Sequence, residues 1–132
     1  MADINNVMNT PDTTAEYTQE DINSNRVMAI LAYIGLLFLV PLFAAKDSKF
    51  ARFHTNQGIV LCIAGAICYV ACTILVALAS IPAIGWLFAV LGYIGVTAVG
   101  IVFTILMVLG IVNAAKGTAK ELPIIGKFKI LK

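Results

Sequence analysis

A polar segment, Lys46 to Gly58, holds most of the side chains of this sequence that could do chemistry. It reads KDSKFARFHTNQG and contains three basic residues and the only histidine of the chain. A metal site at His54 would need further soft ligands, and the candidates are Cys62, Cys68 and Cys72. These cysteines lie in an uncharged apolar stretch with no tetrahedral ligand set, so the spacing does not predict a metal site.

Catalytic patterns are absent from the sequence as well. It has no glycine-rich loop with a phosphate-binding lysine, no serine–histidine–aspartate set and no paired carboxylates. Its long apolar stretches contain no Asp, Glu, Lys or Arg, whereas ion-coupled transporters usually keep ionisable groups at membrane depth. We therefore predict a non-enzymatic protein without a cofactor. The few basic residues lie close to the apolar stretches, which argues against nucleic-acid binding.

The composition indicates which elements must position these residues. Of the 132 residues 61% are hydrophobic and 12% charged, against roughly 45–50% and 25% in soluble domains. Three uncharged stretches, 27–45, 59–81 and 86–115, are long enough for helices that cross a bilayer. We predict an all-α, multi-pass transmembrane protein with three spans. The third stretch exceeds one crossing, so it is either a tilted helix or a re-entrant segment at 86–95 followed by a span.

The apolar stretches divide the chain into three parts. Residues 1–25 contain five acidic and no basic residues, which predicts a disordered acidic tail and no cleaved signal peptide. Residues 26–117 form the predicted transmembrane helical domain. Residues 118–132 alternate lysines with apolar side chains, which is typical of a basic amphipathic tail on a membrane surface.

Basic residues orient the predicted spans. Eight of the nine lie in the first loop, at Lys46, Lys49 and Arg52, or in the C-terminal lysines. Because Lys- and Arg-rich loops stay in the cytoplasm, we predict a protein of the bacterial cytoplasmic membrane with its N-terminus outside and its C-terminus inside. The same loop residues and C-terminal lysines are predicted to contact anionic lipid headgroups.

The polar segment has two alternative roles in this arrangement. Phe50 and Phe53 lie one helical turn apart, so the segment could be an interfacial anchor with polar helix caps. Alternatively, His54, Asn56 and Gln57 line a vestibule or form hydrogen bonds to a neighbouring helix.

Small residues at one-turn spacing form two further stripes, which are candidates for helix packing. They are Ala64, Cys68 and Cys72 in the second apolar stretch, and Gly110 with Ala114 in the third. In lipid, small residues let helices approach closely, either within one chain or at the seam of a homo-oligomer.

Two motifs carry a resemblance to a known family. The first is Phe-x-x-Phe-His-x-Asn-Gln-Gly at 50–58, and the second is Lys-Gly-x-x-x-Glu-Leu-Pro-x-x-Gly at 116–126. Over about residues 27–130 the chain resembles small bacterial membrane proteins labelled after Tic-twenty, a chloroplast inner-envelope protein import component. The resemblance implies a subunit or accessory of a membrane complex related to protein translocation. It also implies that the polar segment contacts a translocating chain or a partner subunit, with these candidate contact residues: Phe50, Arg52, Phe53, His54, Asn56, Gln57 and Gly58. The alternative is a self-assembling small membrane protein or pore with an envelope-related role.

Two short segments echo each other, IPAIG at 81–85 and LPIIG at 122–126. Five residues are too few to establish an internal repeat.

Overall fold

The computed structural model of the chain describes residues 6–131 and is built from helices. The principal helices are α1 (Gln19–Leu31), α2 (Leu39–Ala44), α3 (Lys49–Ala77) and α4 (Gly85–Lys116). Short 3-10 turns occur at Thr14–Glu16, Gly35–Phe38 and Leu78–Ser80. Within residues 6–131 there is no β-strand, only an isolated bridge between Asp12 and Lys120. The predicted all-α class is confirmed.

Two helical segments are long and apolar enough to cross a membrane. They are Lys49–Ser80, which includes α3, and Gly85–Lys116, which is α4, and each has 32 residues. At about 1.5 Å per residue each is roughly 48 Å long, more than the apolar thickness of a bilayer. Residues 86–95 are the first turns of the continuous helix α4, not a separate re-entrant segment.

The predicted first span, residues 27–45, is broken into short pieces. Helix α1 ends at Leu31, and Gly35 has a φ of +52°, a left-handed conformation that an α-helix cannot contain. The apolar helical segment that follows, Gly35–Ala44, has ten residues and is too short to cross a bilayer. The predicted three spans are therefore not confirmed. The prediction rested on the number of consecutive apolar residues, which does not detect a change of backbone direction.

The chain separates into two compact units. The polar unit comprises Met1–Cys62 with Leu106–Lys132, and the apolar unit is Ile63–Ile105. In the apolar unit, glycines of α4 bring it close to α3: a Cβ at Gly95 would lie 2.8 Å from Cys72 Sγ. Large side chains such as Ile67 are exposed, as expected of helices surrounded by lipid.

The polar unit has a core that mixes apolar and polar side chains. Its largest fully buried side chains are Phe50, Leu122, His54, Gln57, Thr55 and Pro41. Part of the segment predicted to be a disordered tail is helical, because Thr18 caps α1 by accepting a hydrogen bond from the Asp21 N–H. Residues 1–5 of that predicted tail lie outside the described residues.

Candidate functional site

The polar segment that was predicted to be a loop begins α3. The Ser48 hydroxyl accepts a hydrogen bond from the Ala51 N–H at 3.0 Å, and the Asp21 carboxylate accepts one from the Phe50 N–H at 3.0 Å. Ser48 also donates to Asp21 at 2.5 Å. These bonds satisfy N–H groups that have no partner within a helix. The first turn of α3 is therefore fixed to α1.

His54, in α3, joins the segment that follows α1 to the C-terminal tail. Its Nε2 lies 2.9 Å from the Thr118 carbonyl oxygen, which can only accept, so Nε2 carries the hydrogen. In the neutral ring Nδ1 then accepts from the Tyr33 hydroxyl at 2.6 Å. The imidazole is fully buried and packs edge-on against Phe50 and Phe53, at centroid distances of 4.8 and 5.1 Å. Both ring nitrogens are used within the protein.

Asn56 and Gln57 bind the backbone of the tail with their amide groups. Gln57 donates to the Gly126 carbonyl and accepts from the Leu122 N–H, both at 2.9 Å. Asn56 donates to the Phe128 carbonyl at 2.8 Å, and its oxygen accepts from the N–H groups of Ile130 and Leu131 at 2.6 and 2.9 Å. Together these two side chains make five hydrogen bonds to a segment that has no helix of its own.

The glycines that end the two motifs are positions of close approach. A Cβ at Gly58 would lie 1.8 Å from the carbonyl oxygen of Ala32, and one at Gly126 would lie 2.8 Å from Gln57 Oε1. Any larger residue would separate α3 from the end of α1 or from the tail. The two motifs are therefore the two sides of one internal contact, which we call the tail clamp: His54, Asn56 and Gln57 with residues 118–131.

The N-terminal segment pairs with the beginning of the tail. The Thr13 N–H donates to the Ala119 carbonyl, and the Glu121 N–H donates to the Pro11 carbonyl, each at 3.0 Å. The Ala119 N–H donates to the Thr14 hydroxyl at 2.9 Å. Because hydrogen-bonded segments cannot lie on opposite sides of a membrane, the predicted orientation with N-terminus outside and C-terminus inside is not confirmed.

Two ionisable groups of the N-terminal segment have shifted pKa values. The hydroxyl and the N–H of Thr14 both donate to the Asp12 carboxylate, and these bonds hold the pKa of Asp12 below its ordinary value. Burial raises the pKa of Tyr17, whose ring meets those of Phe50 and Phe53 edge-on, with 6.1 Å between centroids in each pair. Among residues 6–131 no three His, Cys, Asp or Glu side chains come together as a possible metal site.

The predicted contact residues divide by exposure. Phe50, His54, Asn56, Gln57 and Gly58 are buried, whereas Arg52 and Phe53 are half-buried and line a cavity. A contact between this set and a partner stays a prediction.

The predicted helix-packing residues lie in both units. Gly110 faces the ring of Tyr33 so closely that a Cβ there would be 2.3 Å from a ring carbon, and Ala114 is fully buried. Ala64, Cys68 and Cys72 are half-buried, and no disulfide joins the three cysteines. Use of these stripes between copies of the chain also stays a prediction.

Sequence reasoning missed Tyr33, Asp21 and Thr118. Tyr33 is a hydroxyl-bearing residue inside an apolar stretch, and such a group needs a partner when buried, which was the available signal. Asp21 and Thr118 carry no such signal, because their roles depend on contacts with residues far away in the chain.

Comparison with known proteins gives one consistent family. The model of the MamF/MmsF family, described as a magnetosome magnetite crystal formation protein family, matches residues 24–129. Magnetosome protein MamF of Paramagnetospirillum magneticum is 32% identical over 106 residues, which cover 80% of this chain and 82% of the relative. Magnetosome protein MmsF of the same organism is 31% identical over 100 residues, covering 75% and 79%.

A third relative, Magnetosome protein MamF of Magnetospirillum gryphiswaldense, is 32% identical over 100 residues, covering 75% of this chain and 77% of its own. No solved structure matches the chain.

These matches overturn the resemblance to Tic-twenty. The predicted role in protein translocation is wrong, and the alternative of a pore with an envelope-related role is not supported either. The error has a physical origin. Both motifs on which the resemblance rested belong to the tail clamp, so they describe how the polar unit packs and carry no information about a transported substrate.

Proposed function

The chain belongs to the MamF/MmsF family of magnetosome magnetite crystal formation proteins, and we propose that it acts in magnetite crystal formation as a non-enzymatic protein of the magnetosome membrane. The observation that carries the proposal is the family match over residues 24–129. That range contains both long apolar helices and most of the tail clamp.

The structure supports a membrane arrangement with two crossings. Helices α3 and α4 would each cross once, and Gly35–Ala44 would lie in the interface without crossing. Leu36 and Phe43 of that segment are 69% and 66% exposed, which favours contact with lipid. The pairing of residues 11–14 with 119–121 supports placing both chain ends on the same side.

Charge supports an orientation and a mode of action. Residues 53–115 contain no Asp, Glu, Lys or Arg, so every charged side chain belongs to the side that holds the chain ends. The positive-inside rule favours the cytoplasm for that side. The connection at 81–84 between the helices would then lie on the opposite side of the membrane. It contains no charged side chain that could bind a mineral surface. We therefore propose that the chain influences crystal formation through the membrane and through its charged side, without direct ionic contact with the mineral.

The arrangement can be tested by labelling single cysteines in a variant whose three native cysteines are replaced by serine. Asp12→Cys and Lys127→Cys should react with an impermeant thiol reagent from the same side of sealed vesicles. Ala83→Cys should react from the opposite side. Labelling of Asp12→Cys and Lys127→Cys from opposite sides would overturn the two-crossing arrangement.

The role in crystal formation can be tested in Paramagnetospirillum magneticum that lacks its own MamF and MmsF. Expression of this chain should shift the length distribution of magnetite crystals, measured by electron microscopy, towards that of the parent strain. The chain should also be recovered with isolated magnetosomes. An unchanged crystal distribution with the chain present in the magnetosome fraction would contradict the proposal.

A further inference from the structure

The polar unit contains a cavity of about 790 Å³ beside the tail clamp, and Asn56 and Leu131 of the clamp form part of its wall. Its lining includes four basic residues, Lys46, Lys49, Arg52 and Lys129, and three acidic ones, Glu16, Asp47 and Glu121. Tyr17, Phe53 and Leu131 supply apolar surface beside these charges. The cavity therefore combines cations, anions and apolar groups around one space.

Four of the charged residues that face this cavity, two of each sign, are not paired with one another. Lys129, which also lines it, is paired with Glu121 at 2.6 Å. Lys46, Lys49, Glu16 and Asp47, by contrast, make no ion pair of 4.0 Å or less with another residue of 6–131. A ligand that carries a negative and a positive group could contact both sets at once, which a simple anion could not do.

The position along α3 places the cavity near the outer edge of the headgroup layer. The uncharged apolar stretch begins at Ile59, and Phe53 precedes it by six residues, or about 9 Å of helix. The headgroup layers of a bilayer extend roughly 5–8 Å beyond the apolar core on each side. Phe53, at about 9 Å, would therefore lie at the outer edge of the headgroup layer, and the tilt expected of a helix longer than the bilayer is thick would bring it closer to the apolar core.

We propose that this cavity binds the headgroup of an aminophospholipid, a lipid that carries a phosphate and a primary ammonium group. Lys46 and Lys49 contact the phosphate, Glu16 and Asp47 contact the ammonium, and Phe53 and Leu131 supply apolar surface beside the headgroup. Arg52 contributes to the positive side of the cavity. The inference rests on the membrane placement proposed above, and it names the lipid class that the charged side selects.

The test is native mass spectrometry of the purified full chain in detergent, titrated with phosphatidylethanolamine or with phosphatidylglycerol, which lacks the ammonium. The unaltered chain should bind phosphatidylethanolamine more tightly. Lys46→Gln with Lys49→Gln should weaken binding of both lipids by about fivefold for each lysine removed. Glu16→Gln with Asp47→Asn should abolish the preference for phosphatidylethanolamine without weakening phosphatidylglycerol.

A matched control uses basic residues of the same unit that do not line the cavity. Lys116→Gln with Lys127→Gln removes the same charge and should leave lipid binding unchanged. Three results would each overturn the proposal. They are an equal loss of lipid affinity in this control, equal affinity of the unaltered chain for the two lipids, and displacement of the lipid by equimolar inorganic phosphate. Flotation of the same variants with vesicles tests membrane insertion separately, so failure of the lipid site is distinguishable from failure of the membrane placement.

Discussion

Two five-residue turns with the same sequence pattern, Ile81–Gly85 and Leu122–Gly126, lie in different units and have the same backbone. The residue after proline has a φ of 72° at Ala83 and 70° at Ile124. In each turn the fourth N–H bonds to the proline carbonyl, at 2.9 and 2.7 Å. The fifth N–H bonds to the first carbonyl, at 2.8 and 3.1 Å. Local sequence is thus sufficient for this turn.

The surroundings of the two turns differ. The turn of the apolar unit connects a 3-10 turn to α4, and its first four residues are exposed. In the polar unit, Leu122 is buried and Gln57 binds the N–H of its first residue and the carbonyl of its last. A distant polar side chain therefore decides where the second turn lies, although it does not decide its shape.

The same contrast extends to the packing of the two units. The apolar unit brings its helices together at glycines and leaves its large side chains to lipid. The polar unit is held by directed hydrogen bonds from buried side chains to backbone groups. Such bonds specify one partner each, and a missing partner leaves a buried polar group unsatisfied. Substitutions should therefore be more costly in the polar unit.

The largest effect is expected from comparing one helical glycine in each unit. Gly58→Ala would place a Cβ 1.8 Å from the Ala32 carbonyl oxygen, a backbone atom that cannot move without displacing α1. We expect a loss of about 3 kcal/mol or more in the free energy of unfolding. Gly100→Ala meets no atom within 4 Å and should stabilise α4 by about 0.5–1 kcal/mol.

Both variants are measured by denaturant titration in one detergent, followed by circular dichroism. Equal small effects of Gly58→Ala and Gly100→Ala would contradict the close contact between α3 and α1.

A smaller effect is expected from removing one polar side chain in each unit. Gln57→Leu leaves the buried Leu122 N–H and Gly126 carbonyl without partners, which should cost about 2 kcal/mol. Thr97→Val removes a hydroxyl that bonds to the Tyr93 carbonyl of its own helix and should change stability by less than about 0.5 kcal/mol.

Hydrogen exchange distinguishes the cause of these changes. Gln57→Leu should increase exchange of the amides at 122–131, since the tail is released, and Thr97→Val should not affect them. Tail amides that stay protected in Gln57→Leu would show that Asn56 and His54 hold the tail without Gln57.

Hydropathy predicted the class of the fold and two of its long helices, because apolar length alone determines which segments can cross a bilayer. It failed for residues 27–45, where the positive φ of Gly35 ends the helical path in a stretch that is uniformly apolar. The residues of the tail clamp were recognised as unusual from their polar types. Their partners were not, because Gln57 and Gly126 are 69 residues apart and no periodicity connects them.

The function could not be predicted for the same reason. The side chains that stood out, His54, Asn56 and Gln57, are buried in contacts that stabilise the polar unit. Their types and spacing therefore reflected the fold, and the family match over residues 24–129 was needed to indicate a function.

The smallest effect concerns the two turns themselves. In both turns a residue other than glycine lies in the left-handed region, which lowers the stability of the folded state by roughly 1–2 kcal/mol. Ile124 is β-branched and Ala83 is not, so the strain is greater at Ile124. Glycine relieves this strain but also increases the entropy of the unfolded chain by an amount worth about 0.4–1 kcal/mol. Ile124→Gly should therefore stabilise the protein by about 1 kcal/mol, and Ala83→Gly by less, in the same denaturant titration. Ile124 is mostly exposed, so little buried surface is lost. If Ile124→Gly instead destabilised the protein while Ala83→Gly did not, the second turn would depend on its isoleucine side chain, and the equivalence of the two turns would be limited to their backbone.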